Sequence, residues 1–230
     1  MKKHISILIL LGLLALIGAP ACAQAEQRRL LVIGDSFAKG LYASSVERGY
    51  KFILADRLNM QLGWILARTL DEAETGWAAW DWPADIIILE IGSNDLWTGV
   101  PEAEWPGRYG ALLDSLQTSG ARVIVGNVAW SGRDPGTTAW EHAQRYNEYI
   151  QAEANARGIL VADLWGATLN CTECLSNPGE PSPFDPGFEG DNFHPGDYGH
   201  QIIANEFLRQ VLNNRYYLPI WSMRYGVEDR

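Results

Sequence analysis

Four continuous apolar runs, each as long as a β-strand, are the feature of this sequence that most limits its fold. They are LLVIG (30–34), DIIILEIG (85–92), RVIVGNVAW (122–130) and GILVADLW (158–165), and GWILARTL (63–70) is a weaker fifth. Because the runs do not alternate apolar with polar residues, they predict strands that are buried on both faces, which is typical of a parallel sheet.

Helical patterns lie between these runs, over residues 44–60, 108–120, 137–158 and 201–215. The longest begins with a capping box of Thr138 and Glu141 and stops at Gly158. The alternation predicts an α/β fold, a three-layer α/β/α sandwich around a single open parallel sheet of five strands. In such a sheet, chemistry is expected at the carboxyl ends of the strands, which we call the rim.

The first 25 residues have the pattern of an export signal. Lys2 and Lys3 precede the apolar stretch ISILILLGLLALIG, and the small residues AQA (23–25) offer a cleavage site. Residues 26–230 are then expected to form one domain, exported to the periplasm or secreted. Cys22 leaves a lipoprotein anchor open, although the preceding APA lacks a large aliphatic residue. No later segment is apolar enough to predict a membrane span.

The chain is acidic, with a formal net charge of −10. Removal of residues 1–25 makes the charge more negative, because that segment carries two lysines and no acid. Such a balance disfavours nucleic acid, anionic glycans and anionic membranes as partners and favours neutral substrates.

Two cysteines remain after the signal, Cys171 and Cys174 in NCTECLSNPG. The C-x-x-C spacing is compatible with redox chemistry, half of a zinc site or a local disulfide. The loop-like surroundings and the absence of a second C-x-x-C favour a disulfide in an oxidising compartment.

Two polar residues follow strands at the rim. Ser36, in GDSFAKG (34–40), is either a nucleophile at a strand-to-helix turn or an ordinary helix cap. Asn94, in IGSNDLW (91–97), is either a turn residue or a side-chain donor to an oxyanion.

The stretch GDNFHPGDYGH (190–200) spaces Asp191, His194, Asp197 and His200 evenly. The spacing is compatible with a metal site, with half of a catalytic triad or with the start of a helix. Pro195 divides the stretch, which places Asp197 and His200 in the final helix and argues against a metal site. Asp197 is then expected to cap the helix or face its dipole, and His200 to be a packed or solvated helix residue.

Taken together, GDS, GSND and DNFHP resemble the three blocks of the SGNH or GDSL hydrolase superfamily, in the same order along the domain. The resemblance implies a flavodoxin-like SGNH hydrolase fold and no cofactor. It implies that Ser36 is the nucleophile, that His194 is the general base and that Asp191 orients the histidine. The implied oxyanion donors are the Ser36 backbone, the Asn94 side chain and a glycine after the second strand, for which Gly76 is the best candidate.

The resemblance also implies a serine esterase without choosing its substrate. We expect short-acyl or O-acetyl esters of a small molecule or neutral glycan, with Trp77, Trp97 and Trp130 as candidate binding residues among several tryptophans near the strand ends. Packing under loops is the alternative role for these indoles. The alternative functions are a lysophospholipase or thioesterase, an O-acyltransferase with the same triad, and a non-catalytic glycan-binding module.

Overall fold

Five strands form one parallel sheet in a computed structural model that describes residues 27–176 and 193–213. Their order across the sheet is β2-β1-β3-β4-β5. All four neighbouring pairs are parallel, which confirms the predicted sheet. The strands are β1 (Arg29–Gly34), β2 (Gln61–Leu66), β3 (Ile86–Glu90), β4 (Arg122–Gly126) and β5 (Leu160–Ala162).

Helices cover both faces of the sheet. They are α1 (Ser36–Lys39), α2 (Tyr50–Leu58), α3 (Leu70–Ala78), α4 (Trp105–Thr118), α5 (Thr138–Ala156), α6 (Leu164–Thr168) and α7 (Asp197–Asn213). Leu31 and Ile33 of β1 share one core with α3, α4 and α5, whereas Leu30 and Val32 share the other with α1, α2, α6 and α7. Successive strand residues thus point to opposite cores, which confirms the three layers.

The weakest predicted strand is the one whose observed bounds differ most from the prediction. β2 occupies 61–66 rather than 63–70, and helix α3 begins at Leu70. β2 lies at an edge of the sheet, where Trp64 and Leu66 are half exposed, so its apolar residues do not mark its limits. The cap of α5 also differs by one residue, because Thr137 and not Thr138 accepts a hydrogen bond from the Trp140 N–H.

Several sequence predictions fall on residues outside the described part of the chain. These are the export signal with Cys22, the aspartate Asp191 and the last two residues, 214–215, of the final predicted helix. Within residues 27–176 and 193–213, no helix has the length and apolar character that a membrane crossing requires.

Candidate active site

Ser36 and His194 come together at the rim, 158 residues apart in the chain. His194 Nε2 lies 2.8 Å from Ser36 Oγ. When Nε2 is unprotonated, the serine hydroxyl donates to it, and this arrangement allows the imidazole to remove the proton as the oxygen attacks. The rings of Phe37 and Tyr42 lie against the imidazole, with centroids 5.5 and 5.2 Å away.

The turn that presents Ser36 depends on the residues on either side of β1's end. A Cβ on Gly34 would lie 2.7 Å from Ala38 Cβ and 2.9 Å from the Glu90 carbonyl oxygen, so only glycine permits this close approach. Asp35 caps helix α1, because its Oδ1 accepts a hydrogen bond from the Phe37 N–H at 2.9 Å. Ser36 is therefore the first residue of α1, where backbone N–H groups have no carbonyl partner within the helix.

Asn94 is held beside this turn by the same carboxyl group. Its Nδ2 donates to Asp35 Oδ2 at 2.9 Å. An amide nitrogen carries two hydrogens, so one N–H remains to serve an oxyanion. The structure thus brings Asn94 to the loop that carries Ser36.

The residue after Asn94 fixes the loop to its neighbour. Asp95 Oδ1 accepts a hydrogen bond from the Leu70 N–H at 3.1 Å and so caps α3 from another loop. Gly99, at φ +100°, lies so close to Asp95 that a Cβ would be 2.8 Å from its Oδ1. Burial raises the pKa of Asp95 to about 6. Within GSND, Asn94 therefore belongs to the candidate site and Asp95 to the structure of the rim.

A disulfide-closed turn holds the backbone of His194. Cys171 and Cys174 are disulfide-bonded, and Leu175 forms an antiparallel bridge with Pro195. The Ser176 N–H donates to the His194 carbonyl at 2.8 Å, and the Gly196 N–H donates to the Cys174 carbonyl at 2.9 Å. The turn closed by the disulfide is therefore paired, backbone to backbone, with the segment that carries His194.

A second set of hydrogen bonds holds the segment after His194, at the start of α7. Asp197 Oδ1 accepts from the Ser44 N–H at 2.7 Å, and its Oδ2 accepts from the Ser44 hydroxyl and from Arg48. The carboxylate thus joins the loop after α1 to the start of α7, beyond the simple capping role predicted from the sequence. His200 is packed rather than solvated, because it is completely buried.

Two acidic side chains are buried beneath the nucleophile turn. Asp35 and Glu90 are almost fully inaccessible, and the Tyr50 hydroxyl lies 3.4 Å from Glu90 Oε2. Burial raises the pKa of both carboxyl groups. The charge of Asp35 raises the pKa of Glu90 further, and the charge of Asp95 raises that of Asp35. Glu90 is the one charged residue inside the apolar run DIIILEIG apart from its first position, which is a signal that sequence reasoning missed.

A family model described as GDSL-like lipase/acylhydrolase matches residues 32–202. The chain belongs to the GDSL-like lipase/acylhydrolase family. Membership confirms the resemblance seen in the sequence and the predicted class of enzyme, a hydrolase of ester bonds. No curated protein matches the chain.

Several solved structures share the fold of this chain. A lipolytic G-D-S-L family member from Veillonella parvula is 19% identical with a TM-score of 0.63, covering 81% of this chain and 99% of its own. The acetyl xylan esterase AlAXEase is 18% identical with a TM-score of 0.62, covering 80% and 100%. The acetylxylan esterase Axe2 from Geobacillus stearothermophilus, as a catalytic mutant, is 19% identical with a TM-score of 0.64, covering 80% and 94%.

Gly76 does not lie at the rim of this GDSL fold. It is the seventh of the nine residues of α3, and a Cβ there would lie 2.4 Å from Ile65 Cγ2. An amide within a helix is bonded to the preceding turn, so the position does not suit the oxyanion role that the resemblance assigned. The glycine instead permits α3 to pack against β2. The turn from β2 to α3, residues 67–69, contains no glycine.

The three predicted tryptophans have different surroundings. Trp77 lies near the end of α3 farther from the rim, and its indole N–H donates to Ser115 of α4, so it does not fit a substrate contact. Trp130 is buried, with its indole N–H bonded to the Arg133 carbonyl. Trp97 is 63% exposed, three residues after Asn94, and its ring faces His142.

A cavity of about 450 Å³ lies between the loop after β4 and the disulfide-closed turn. Its lining is mixed, with the polar residues Asp134, Asn170 and Thr172 beside Trp130, Gly132 and Leu175. Leu175 is the bridge partner of Pro195, so the cavity adjoins the backbone that carries His194. Of the predicted tryptophans, Trp130 therefore has a place beside a cleft.

Asp197 and His200, which the sequence spaces evenly with Asp191 and His194, have other surroundings in the structure. Among residues 27–176 and 193–213, no three acidic, histidine or cysteine side chains form a group that could hold a metal ion. The carboxylate of Asp197 is bonded to Ser44 and Arg48, and His200 is completely buried.

Proposed function

We propose that the protein is an exported serine esterase that removes short acyl groups, foremost O-acetyl groups, from a neutral glycan or small molecule through an acyl-enzyme intermediate. The 2.8 Å approach of His194 Nε2 to Ser36 Oγ carries the proposal. Family membership supports ester hydrolysis as the reaction class.

In this mechanism Ser36 Oγ attacks the ester carbonyl while its proton passes to His194 Nε2. The oxyanion of the tetrahedral intermediate accepts hydrogen bonds from the Ser36 N–H and the free N–H of Asn94. Collapse of the intermediate forms the acyl-enzyme, and the alcohol leaves with the proton from His194. A water molecule then attacks the acyl group, His194 again takes the proton, and Ser36 is regenerated as the acid is released.

Asp191 is assigned as the residue that orients His194, three positions earlier in the chain. Asp191 lies outside the described residues, so the assignment rests on sequence spacing and on a parallel. In Axe2, separate catalytic mutants replace an aspartate and a histidine by alanine, and these two residues are also three positions apart.

The neutral, sugar-like substrate is supported by the surroundings of the site. Trp97 exposes an indole close to Asn94, and the adjoining cavity offers amide, hydroxyl and carboxylate groups rather than an apolar tunnel. Two of the structural neighbours described above are acetyl xylan esterases. Polar groups beside a flat aromatic surface suit a sugar ring better than a long acyl chain.

The test is labelling with a fluorophosphonate together with hydrolysis of aryl acetates and of an acetylated oligosaccharide. We expect Ser36→Ala to abolish both labelling and hydrolysis, with His194→Ala losing hydrolysis to a similar extent. An unlabelled wild-type protein, or a Ser36→Ala variant that keeps its rate, would refute the proposal. A series of longer acyl esters tests lysophospholipase or thioesterase activity, and an added sugar acceptor reveals acyl transfer.

A further inference from the structure

A buried arginine lies in the loop between β4 and α5. Arg133 is only 5% exposed. Its Nη1 donates to the carbonyl oxygens of Ala129 and Trp130, at 2.7 and 3.0 Å, and its own carbonyl accepts from the Trp130 indole at 2.6 Å. These contacts fix the guanidinium in one place. A guanidinium is costly to bury, so its position calls for an explanation beyond packing.

The same guanidinium reaches the loop of the oxyanion donor. Arg133 Nη2 donates to Ser93 Oγ at 3.0 Å, and Ser93 is itself buried. Ser93 directly precedes Asn94, whose side chain must present an N–H to the reacting oxygen in the proposed mechanism. A shift of Ser93 would therefore be passed directly to Asn94.

On another side, Arg133 contacts the segment of the general base. Its Cζ lies 4.9 Å from the centroid of the Phe193 ring, within the range of a cation–π interaction. Phe193 directly precedes His194, and the two rings are in edge contact with centroids 5.1 Å apart. The arginine thus contacts the residue before each of two proposed catalytic groups.

The charge of Arg133 acts on the residue before the third group, Ser36. Burial raises the pKa of Asp35, and the positive charge of Arg133 opposes that rise. Glu90 of β3, Tyr50 of α2 and Asp95 also interact with Asp35, and all three are acidic groups. The charge of Arg133 therefore favours the ionised form of Asp35 against their effect.

We propose that Arg133 is a positioning residue, which holds the Asn94 loop and the His194 segment in register with the Ser36 turn through one buried guanidinium. The inference rests on the proposed esterase function and extends it to a residue that touches neither the substrate nor the reacting atoms. A planar fork is needed to bond two carbonyls and a hydroxyl while lying on a ring, and a lysine ammonium cannot do all of these at once.

The experiment compares Arg133→Met and Arg133→Lys with the wild-type protein and with a control, Arg157→Met. Arg157 is also partly buried and makes ion pairs with Asp114 and Glu153, but it lies at the far end of α5. For each protein, kcat and KM for an aryl acetate, the fluorophosphonate labelling rate of Ser36 and the melting temperature are measured.

We expect Arg133→Met to lower kcat and the labelling rate by about 100-fold with little change in KM, since misplaced catalytic groups cost on this order. The acid limb of its kcat/KM profile should move to higher pH. Loss of the cation raises the pKa of Asp35, and the carboxylate of Asp35 is the group that holds Asn94. Arg133→Lys should restore the acid limb but not the full kcat. Arg157→Met should lose thermal stability and keep kcat at temperatures below its melting point.

Wild-type kcat in a folded Arg133→Met, or an equal loss of kcat in Arg157→Met, would overturn the inference while leaving the proposed function intact. A wild-type protein that neither hydrolyses esters nor reacts with the fluorophosphonate would overturn both. If Arg133→Met does not fold, Arg133→Lys decides alone, and an unchanged kcat and labelling rate in that variant counts against the positioning role.

Discussion

Asn94 and Asp35 are joined by a hydrogen bond of 2.9 Å between the amide nitrogen of one and the carboxyl oxygen of the other. The second oxygen of the same carboxyl group caps the helix that begins with Ser36. One buried side chain thus sets the relative position of the proposed nucleophile and the proposed oxyanion donor. The contribution of Asp35 Oδ2 to catalysis should therefore be exerted through Asn94.

A double-mutant cycle tests this dependence. We expect Asn94→Ala to lower kcat by about 100- to 1000-fold, the usual cost of an oxyanion donor. Asp35→Asn should lower kcat less, because an amide in place of the carboxyl group keeps one acceptor but turns a donor toward the other partner. The double variant should be about as slow as Asn94→Ala alone. Losses that multiply would show that Asp35 acts independently of Asn94.

The disulfide gives a second prediction, because the turn that it closes pairs with the backbone of His194. Replacing Cys171 and Cys174 by serine should lower the free energy of unfolding by about 2 kcal/mol, the entropic value for a loop of this size. It should also lower kcat, since the Leu175–Pro195 bridge loses its fixed partner. The measurements are chemical denaturation and ester hydrolysis at 25 °C.

Reduction provides the control for that prediction. A reducing agent should lower the activity of the wild-type protein and leave the double serine variant unchanged. If the reduced wild-type protein and the serine variant both hydrolyse esters at the oxidised wild-type rate, the turn does not need the disulfide to hold His194.

The architecture, and the position of the candidate site residues at one rim, could be predicted because both depend on local patterns. Apolar runs mark strands buried on two faces, and polar residues directly after them mark the rim. Ser36, Asn94 and His194 follow from this reading together with the family resemblance. The predicted range of β2 was wrong by several residues, because β2 is an edge strand with exposed apolar residues, and its apolar pattern does not mark its ends.

The supporting residues could not be predicted, because they depend on distances between loops far apart in the chain. Asp197 bonds Ser44 across more than 150 positions, and nothing near either residue indicates the partner. The oxyanion role was wrongly assigned to Gly76 for a related reason. In the sequence, a glycine that permits close helix–strand packing looks the same as one whose backbone N–H is available to a substrate. Packing alone distinguishes the two.

The glycine at the end of β1 gives a third prediction. Gly34→Ala should destabilise the protein by about 1–3 kcal/mol, the usual cost of overpacking, because its Cβ meets Ala38 and the Glu90 backbone. It should also lower kcat, since relief of the clash moves α1 and with it Ser36. Gly107→Ala in α4 is the matched control, because its Cβ meets no atom within 4 Å.

For Gly107→Ala, helix propensity predicts a gain of up to about 1 kcal/mol and an unchanged kcat. Both variants are compared by denaturant unfolding and by hydrolysis of the same ester. Equal stability of Gly34→Ala and the wild-type protein would show that the close approach at the end of β1 is not required.

The buried His200 gives a fourth prediction, which concerns stability in acid. Burial lowers its pKa from 6.5 to about 3; the positive charge of Lys51 adds to this effect and Asp197 opposes it. Its ring nitrogens have no hydrogen-bond partner among the described residues, and its ring lies near that of Tyr50. The imidazole is therefore neutral in the folded protein over a pH range in which the unfolded chain binds a proton.

Between pH 6.5 and about 3 the unfolded state binds more protons at this position than the folded state, so the free energy of unfolding falls as the pH falls. His200→Phe, which places a ring of similar size beside Tyr50, should remove this part of the acid sensitivity. The difference in unfolding free energy between variant and wild type, measured by urea titration at several pH values, should shift steadily in favour of the variant from pH 7 to 4. A difference that does not change with pH would show that His200 takes up its proton in the folded state as readily as in the unfolded one.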